Sequence, residues 1–377
     1  MILTYCKKCL YNNLKPDLTF NDQGVCSACT AFEAREDIDW AKRQKEFTKI
    51  VEEAKAKKKQ YDCIVPVSGG KDSHYQVLMA LQYGLRPLAV TATTDHVSEL
   101  GHKNLDNISQ LGVDHVHVTC NGRVRKKINA YTLREIGDIS WAEHVTIFSI
   151  PFRVATWHDI PLIIYGENPQ NEYGGPDEET QKTFTLDQKW LEEFGGLNGL
   201  RVSDIIDQKI ATEQDMLLYT YPKLKKDSVK GVFLGQFFPW DGATNAEIAC
   251  NNGFKTAYGP VEGTGYDYEN LDNLQTGIHD YFKYLKFGFG RCTDIASNHI
   301  RRKNITRREA KEIVELYDGR YPSTYLGVPL EDVLDRIGVS IEEFVELCNH
   351  WANKDLFDTR DIKRPPRAMF RRDLKNA

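Results

Sequence analysis

A chain of 377 residues with a formal charge of −5 is long enough to bury a substantial core, and its acidic balance argues against a surface built for polyanions. No stretch reaches the roughly 18 apolar residues of a membrane span, and Met1–Leu10 lacks the pattern of a secretory leader, so a soluble cytoplasmic protein is expected, without membrane or nucleic-acid partners. Nine cysteines, arranged as two close pairs plus scattered singles, suit metal binding in a reducing compartment better than a disulfide framework.

Cys6-Lys7-Lys8-Cys9 and Cys26-Ser27-Ala28-Cys29 are two CxxC pairs separated by sixteen residues that include Pro16 and the Asp22-Gln23-Gly24 turn. Each pair places two thiolates on one knuckle, and two knuckles close a tetrahedral S₄ shell, the arrangement zinc prefers. With Cys6, Cys9, Cys26 and Cys29 filling all four positions, such a zinc is structural. An iron–sulfur cluster or a redox dithiol is disfavoured because nothing nearby resembles a thioredoxin βαβ context. Residues 31–59 are charged and helix-prone, with Trp40, Phe47, Ile50, Val51 and Ala54 at helical spacing, which predicts a connecting helix with one packed stripe.

From Tyr61 the period changes. Strand-like Cys63–Val67, Leu88–Thr93 and Val113–Thr119 alternate with helix-like His74–Tyr83 and Glu99–Leu111, predicting an α/β fold with a doubly wound, mainly parallel sheet. Between the first strand and helix stands Ser68-Gly69-Gly70-Lys71-Asp72-Ser73. An apolar strand that stops at a serine and two glycines and then turns into a helix aims several backbone N–H groups at one spot, where the helix dipole favours an anion. Ser68 and Ser73 add hydroxyls, Lys71 a point charge, and Asp72 an oxygen suited to Mg²⁺. The spacing is not that of a Walker A loop. Ligands of such sheets lie outside the carboxyl ends of the strands, which also brings in Thr91–His96; Asp95 there either borders a nucleotide or caps the next helix.

Residues 121–138 form a basic helix, and Ser140–Asp159 reads as a core-lining helix pair that Pro151 should kink or split. The strand Pro161–Tyr165 ends in Gly166-Glu167-Asn168-Pro169-Gln170-Asn171-Glu172-Tyr173-Gly174-Gly175. Its carboxylates, amides and tyrosine suit a polyhydroxylated ligand. After a helical insertion near 177–229, strand character returns at 231–238 and ends in Pro239-Trp240-Asp241-Gly242, where Asp241 either lines a site or forms a turn. Residues 266–308 concentrate His279, Asp280, Arg291, Asp294, Asn298, His299, Arg301 and Arg302. The glycines of Phe287-Gly288-Phe289-Gly290 break a helix and free Arg291 to reach an anion, or leave it on a surface loop. Thr306 and Glu309 make a capping box, so a helix restarts there.

The hexapeptide 68–73 resembles the SGGxDS signature of the PP-loop ATP pyrophosphatases. Together with the CxxC pairs, YGENPQNEYGG at 165–175, FPWDG at 238–242 and IHDYFKYLKFGFGRCTDIASNHIRR at 278–302, it resembles the N-acetyl sugar amidotransferases of bacterial surface-polysaccharide and nonulosonic-acid pathways. The resemblance implies a HUP-like fold and an ATP-dependent conversion of an acetamido group to an acetamidino group, with AMP and pyrophosphate released. Ser68, Gly69, Gly70, Lys71, Asp72 and Ser73, with Thr91, Gly166 and Arg291, would bind ATP, and Asp72 would organise Mg²⁺. Asn168, Tyr173 and Asp241 would hold the N-acetylated sugar, and Glu167 or Glu172 would take a proton from ammonia. The sequence shows no glutaminase, so a separate glutaminase subunit is expected to supply the ammonia. The expected layout is a zinc ribbon at 1–35, a connecting helix at 36–60, the PP-loop domain at 61–290 and a helical region at 291–377. The nearest rival is a tRNA-modifying PP-loop enzyme, which would be expected to show a basic face and, for thiolation, a further cysteine pair.

Overall fold

The structure is a computed structural model that describes residues 3–167, 197, 199–223 and 228–370. The apolar runs become β1 (Cys63–Pro66), β2 (Pro87–Ala92), β3 (Asp114–Val118), β4 (Leu162–Tyr165) and β5 (Lys230–Phe233), all parallel, in the order β3-β2-β1-β4-β5. Strands buried on both faces have no need of an alternating pattern, which is why β1 and β4 read as continuous apolar stretches. The chain leaves β1 toward β2 on one side and returns on the other as β4, so the switch in strand order lies between β1 and β4.

Helices cover both faces. Ile64, Leu88, Val90 and Ile163 pack under α5 (Gly122–Ile136) and α6 (Trp141–His158), through Val124, Ile128, Trp141 and Phe152. Cys63, Val65, Val67 and Ile164 pack against Phe47 and Val51 of α2 (Trp40–Ala56) and Val77 of α3 (Lys71–Gln82). A third core joins Leu133 and Ile139 to Ile278, Phe282, Leu285, Leu334 and Phe344, so the carboxy-terminal helices share apolar contacts with the α5 region. Among the described residues no helix is long and apolar enough to cross a membrane.

Several expectations change. The connecting helix at 31–59 is instead α1 (Ser27–Glu33), a 3₁₀ turn at Ala34–Asp37 and α2, because the Asp39 carboxylate accepts the Lys42 N–H and starts a new helix. Pro151 does not split α6, which runs through it. The carbonyl to which a residue at 151 would otherwise donate belongs to Ile147, a residue 39% exposed. The strand predicted at 231–238 ends at Phe233 and continues as a 3₁₀ turn. Ser98, not Asp95, caps α4 (Glu99–Gln110), its hydroxyl accepting the Gly101 N–H at 2.8 Å. The insertion and polar-loop expectations, including Asn168, Glu172 and Tyr173, lie largely or wholly outside the described residues.

Candidate active site

The Ser68–Ser73 turn closes on itself through side chains. Ser73 Oγ accepts the Ser68 N–H at 2.9 Å, and the two hydroxyls lie 3.5 Å apart. His74, fully buried, places Nδ1 2.9 Å from the Gly70 carbonyl and so braces the start of α3.

The two glycines differ in why they are glycine. Gly69 has φ +87°, and a Cβ there would meet Leu105 Cγ at 3.0 Å and the Leu105 backbone N at 3.1 Å. At Gly70 a Cβ would meet only Ser68 Oγ, at 3.4 Å, an ordinary contact. No protein atom excludes a side chain there, and Gly70 is the N-cap of α3, a position where glycine is favoured. Gly70→Ala is therefore expected to keep stability within about 1 kcal/mol. Gly69→Ala should destabilise by more than 1 kcal/mol, roughly. Chemical denaturation of both variants checks this.

Lys71 is buried, and its Nζ lies 2.9 Å from Asp72 Oδ2 and 2.7 Å from Glu269 Oε1. Burial pulls its pKa down, but the two carboxylates outweigh burial and the net shift is upward, so the ammonium stays charged. Glu269 reaches Arg291 on its other side, at 3.6 Å. Burial pushes this carboxyl up, Lys71 and Arg291 pull it down, and the net shift is downward. Asp72 is steadied by the Asn245 amide, which donates to Oδ1 at 2.8 Å. Asp272, three residues beyond Glu269, interacts with the Ser68 hydroxyl, and burial raises its pKa.

Glu167, Trp240, Asp241, Asn298 and Arg302 complete one cleft around Lys71 and Asp72. Asp241 caps the helix Gly242–Asn251 by accepting the Ala243 N–H at 3.1 Å, and it lines the cleft beside Arg302 Nε at 3.7 Å. The Gly288–Gly290 break ends the helix Thr276–Phe287 and starts Arg291–Arg301, which puts Arg291 in the cleft rather than on an outer loop. His299 also lines the cleft; its Nε2 lies 2.9 Å from Tyr268 Oη, and its ring stacks on Tyr266 with centroids at 4.8 Å.

Two expected site residues are otherwise engaged. Thr91 is 3% exposed, and its hydroxyl donates to the Val67 carbonyl at 2.8 Å with His115 Nε2 also at 2.8 Å. It ties β2 to β1 and does not face the cleft. A Cβ at Gly166 would meet the Gln76 amide at 2.2 Å and Trp240 at 2.9 Å, so this glycine is required by the packing of those side chains. Sequence reasoning missed Glu269, Asp272 and Asn245. Glu269 sits in an irregular segment just after Tyr266 and Tyr268, with no periodicity to mark it as buried.

The four paired cysteines come together, with all sulfurs within 4.8 Å of one another and closest approaches of 3.6 Å (Cys9–Cys26) and 3.9 Å (Cys6–Cys29). Tetrahedral bonds of about 2.3 Å imply sulfur–sulfur edges of about 3.8 Å, so the cluster fits zinc. The Cys6 sulfur also accepts backbone N–H groups of Cys26 at 3.3 Å and Lys8 at 3.4 Å, which favours a thiolate.

Residues 256–369 match the family described as LPS biosynthesis protein WbpG-like, C-terminal domain. The match bears out the resemblance read from the motifs. No curated protein matches the chain. Among solved structures, NMN synthetase from Francisella tularensis is similar at 13% identity, covering 59% of this chain and 99% of its own, with a TM-score of 0.29. NH3-dependent NAD synthetase from Campylobacter jejuni subsp. jejuni NCTC 11168, in complex with the nitrate ion, is similar at 16% identity, covering 50% and 100%, also with a TM-score of 0.29.

Proposed function

We propose, proceeding from a chain whose residues 256–369 belong to the WbpG-like C-terminal domain family of lipopolysaccharide biosynthesis, that the protein is an ATP-dependent N-acetyl sugar amidotransferase. The observation that carries this reading is the meeting of two sequence-distant halves. Lys71 and Asp72 of the phosphate-cradling turn share one cleft with Glu269 and Arg291 of the WbpG-like region.

An amide oxygen is a poor leaving group and must be activated. In the proposed reaction the acetamido oxygen attacks the α-phosphorus of ATP; a P–O bond forms, the α–β bridge breaks, and pyrophosphate leaves. Ammonia then adds to the imidate carbon, the C–O bond breaks with loss of AMP, and the nitrogen gives up a proton to leave the acetamidino group. Ser68, Gly69, Gly70 and Ser73 would cradle the departing pyrophosphate, and Lys71 and Arg291 would offset its charge. Asp72 would hold Mg²⁺, which supplies further charge stabilisation when bound. Glu167, in the cleft beside Asp72, is the candidate base for the ammonia proton; Glu172 keeps the same candidacy from sequence alone. The ammonia source is proposed to be a separate glutaminase subunit.

With ATP, Mg²⁺ and ammonium, pyrophosphate release is expected only when an N-acetylated nucleotide sugar or nonulosonate is present, with mass spectrometry showing oxygen replaced by NH. Release stimulated by tRNA instead would overturn the reading in favour of a tRNA-modifying enzyme.

A further inference from the structure

The basic helix read at 121–138 is α5, and its cations do not spread evenly round it. Arg125 is buried and turns inward, donating to Tyr219 Oη at 3.1 Å and to Thr146 Oγ1 at 3.2 Å. Lys126, Ala130 and Arg134 follow one another at four-residue steps, with Lys127 and Tyr131 beside them. That face forms one wall of an open groove of about 590 Å³. Lys209 and Ile210, just after the helix Val202–Asp207, and Arg336 and Ile337, just after the helix Leu330–Asp335, supply the rest.

Three stretches far apart in the chain thus bring five cations to one place, and no carboxylate lines it among the described residues. The chain as a whole carries a formal charge of −5, so the groove runs against the prevailing sign. Cations gathered without carboxylates between them repel one another, and a bound anion relieves that cost.

The five differ in commitment. Arg134 Nε lies 2.6 Å from Glu343 Oε1, and Lys127 interacts with Asp215. Arg336 donates to the Asp95 carbonyl at 2.6 Å, but its Nε is buried and has no hydrogen-bond partner among the described residues. A buried donor left unpaired is costly and marks a place for an acceptor. Lys126 and Lys209 are exposed and have no carboxylate partner among the described residues. Glu135 and Asp204 act on the Tyr131 hydroxyl from outside the lining.

Between the charges the floor is apolar, with Ala130, Ile210 and Ile337 around the Tyr131 ring. The volume falls within the roughly 300–1,000 Å³ of small-ligand sites. Several lysines, each a point charge with rotatable donors, suit the many oxygens of a polyphosphate better than a lone carboxylate.

We propose that this groove binds a diphosphate, its oxygens on Lys126, Lys127 and Lys209 with Arg336 behind them. It shares no lining residue with the cleft at Lys71, and the proposal does not depend on the reaction assigned to that cleft. The diphosphate is either free pyrophosphate or part of a nucleoside diphosphate whose ring lies on the Tyr131 floor.

Calorimetric titration of the full chain with UDP, pyrophosphate and uridine tests this. UDP is expected to bind and uridine is not. UDP tighter than pyrophosphate identifies a nucleoside diphosphate, and equal affinities identify the diphosphate alone. In the variant carrying both Lys126→Ala and Lys209→Ala, two exposed positions where folding is not at stake, UDP should bind at least about tenfold more weakly. Its affinity for α,β-methylene-ATP should stay within about twofold of the wild type. UDP binding untouched by the two substitutions, or binding of neither diphosphate to the wild type, would overturn the assignment. A parallel loss of α,β-methylene-ATP affinity would place both lysines at the other cleft and overturn it too. Hexaglutamate bound more tightly than either diphosphate would give the groove to an acidic protein segment instead.

Discussion

Lys71→Met is expected to abolish pyrophosphate release and to lower stability by about 3–5 kcal/mol, and adding Glu269→Gln is expected to restore most of the stability but none of the turnover. The reason is that Lys71 and Glu269 are both almost inaccessible, with side chains 7% and 9% exposed and joined at 2.7 Å. Removing the ammonium leaves a buried carboxylate beside a single guanidinium, that of Arg291, which stands farther off at 3.6 Å. Neutralising that carboxylate removes the penalty; nothing in the double variant supplies the cation that would meet a leaving pyrophosphate. The pH dependence follows from the same pair. In the wild type the folded-state pKa of Glu269 is lowered, so its contribution is present above the unfolded carboxylate pKa and is lost as pH falls. In Lys71→Met the dominant remaining influence is burial, which raises the pKa, so that variant gains stability as pH falls. The gap between the two proteins should narrow from pH 7 toward pH 5. Urea unfolding at several pH values, together with a pyrophosphate-release assay, measures each part. Turnover recovered in the double variant would remove Lys71 from the chemistry.

What could be read ahead of the structure was whatever lies close together along the chain. The turn 68–73 and the two CxxC pairs each carry their chemistry within a few residues, and backbone geometry alone brings their groups together. Arg291 was legible for the same reason, since glycines at 288 and 290 announce a broken helix just before it. Glu269 was not. Its importance comes from burial between Lys71, almost two hundred residues upstream, and Arg291, and no local pattern encodes a pairing across two cores. Thr91 shows the converse. It stands at the carboxyl end of β2, where ligands of such sheets gather, but its hydroxyl is spent on Val67 and His115. Position along a strand did not reveal which way the side chain bonds. Asn245 belongs with Glu269, since it reaches Asp72 from a helix whose sequence reads as ordinary.

The four-cysteine lobe should hold about one zinc per chain, and removing it is expected to stop turnover although the cluster lies outside the cleft. Apparent zinc-binding energies in small cysteine sites are about 10–16 kcal/mol, comparable with the stability of a whole domain, so the lobe should not stay folded without its metal. The lobe is fastened to the turn that presents Arg291. The Asn12 amide donates to the Phe287 carbonyl at 3.0 Å, the Leu10 N–H donates to Ser297 Oγ at 3.3 Å, and Tyr11 meets Phe289 edge-on at 5.9 Å. Arg307 closes the joint from the other side, donating to the Cys9 and Cys6 carbonyls at 3.2 and 3.1 Å. Residues 287–297 would therefore lose one wall of their packing when the lobe unfolds, and Arg291 would lose its fixed approach to Glu269. Cys26→Ser, or treatment with a strong chelator, is expected to abolish bound zinc on elemental analysis and to add a separate low-temperature unfolding transition. The parallel sheet, whose cores lie elsewhere, should keep its own transition. Turnover should fall at least about a hundredfold, as for other losses of a positioned charge. Zinc-free protein that turns over normally would show that the Phe287–Arg291 turn holds its shape unaided and would confine the metal to the lobe.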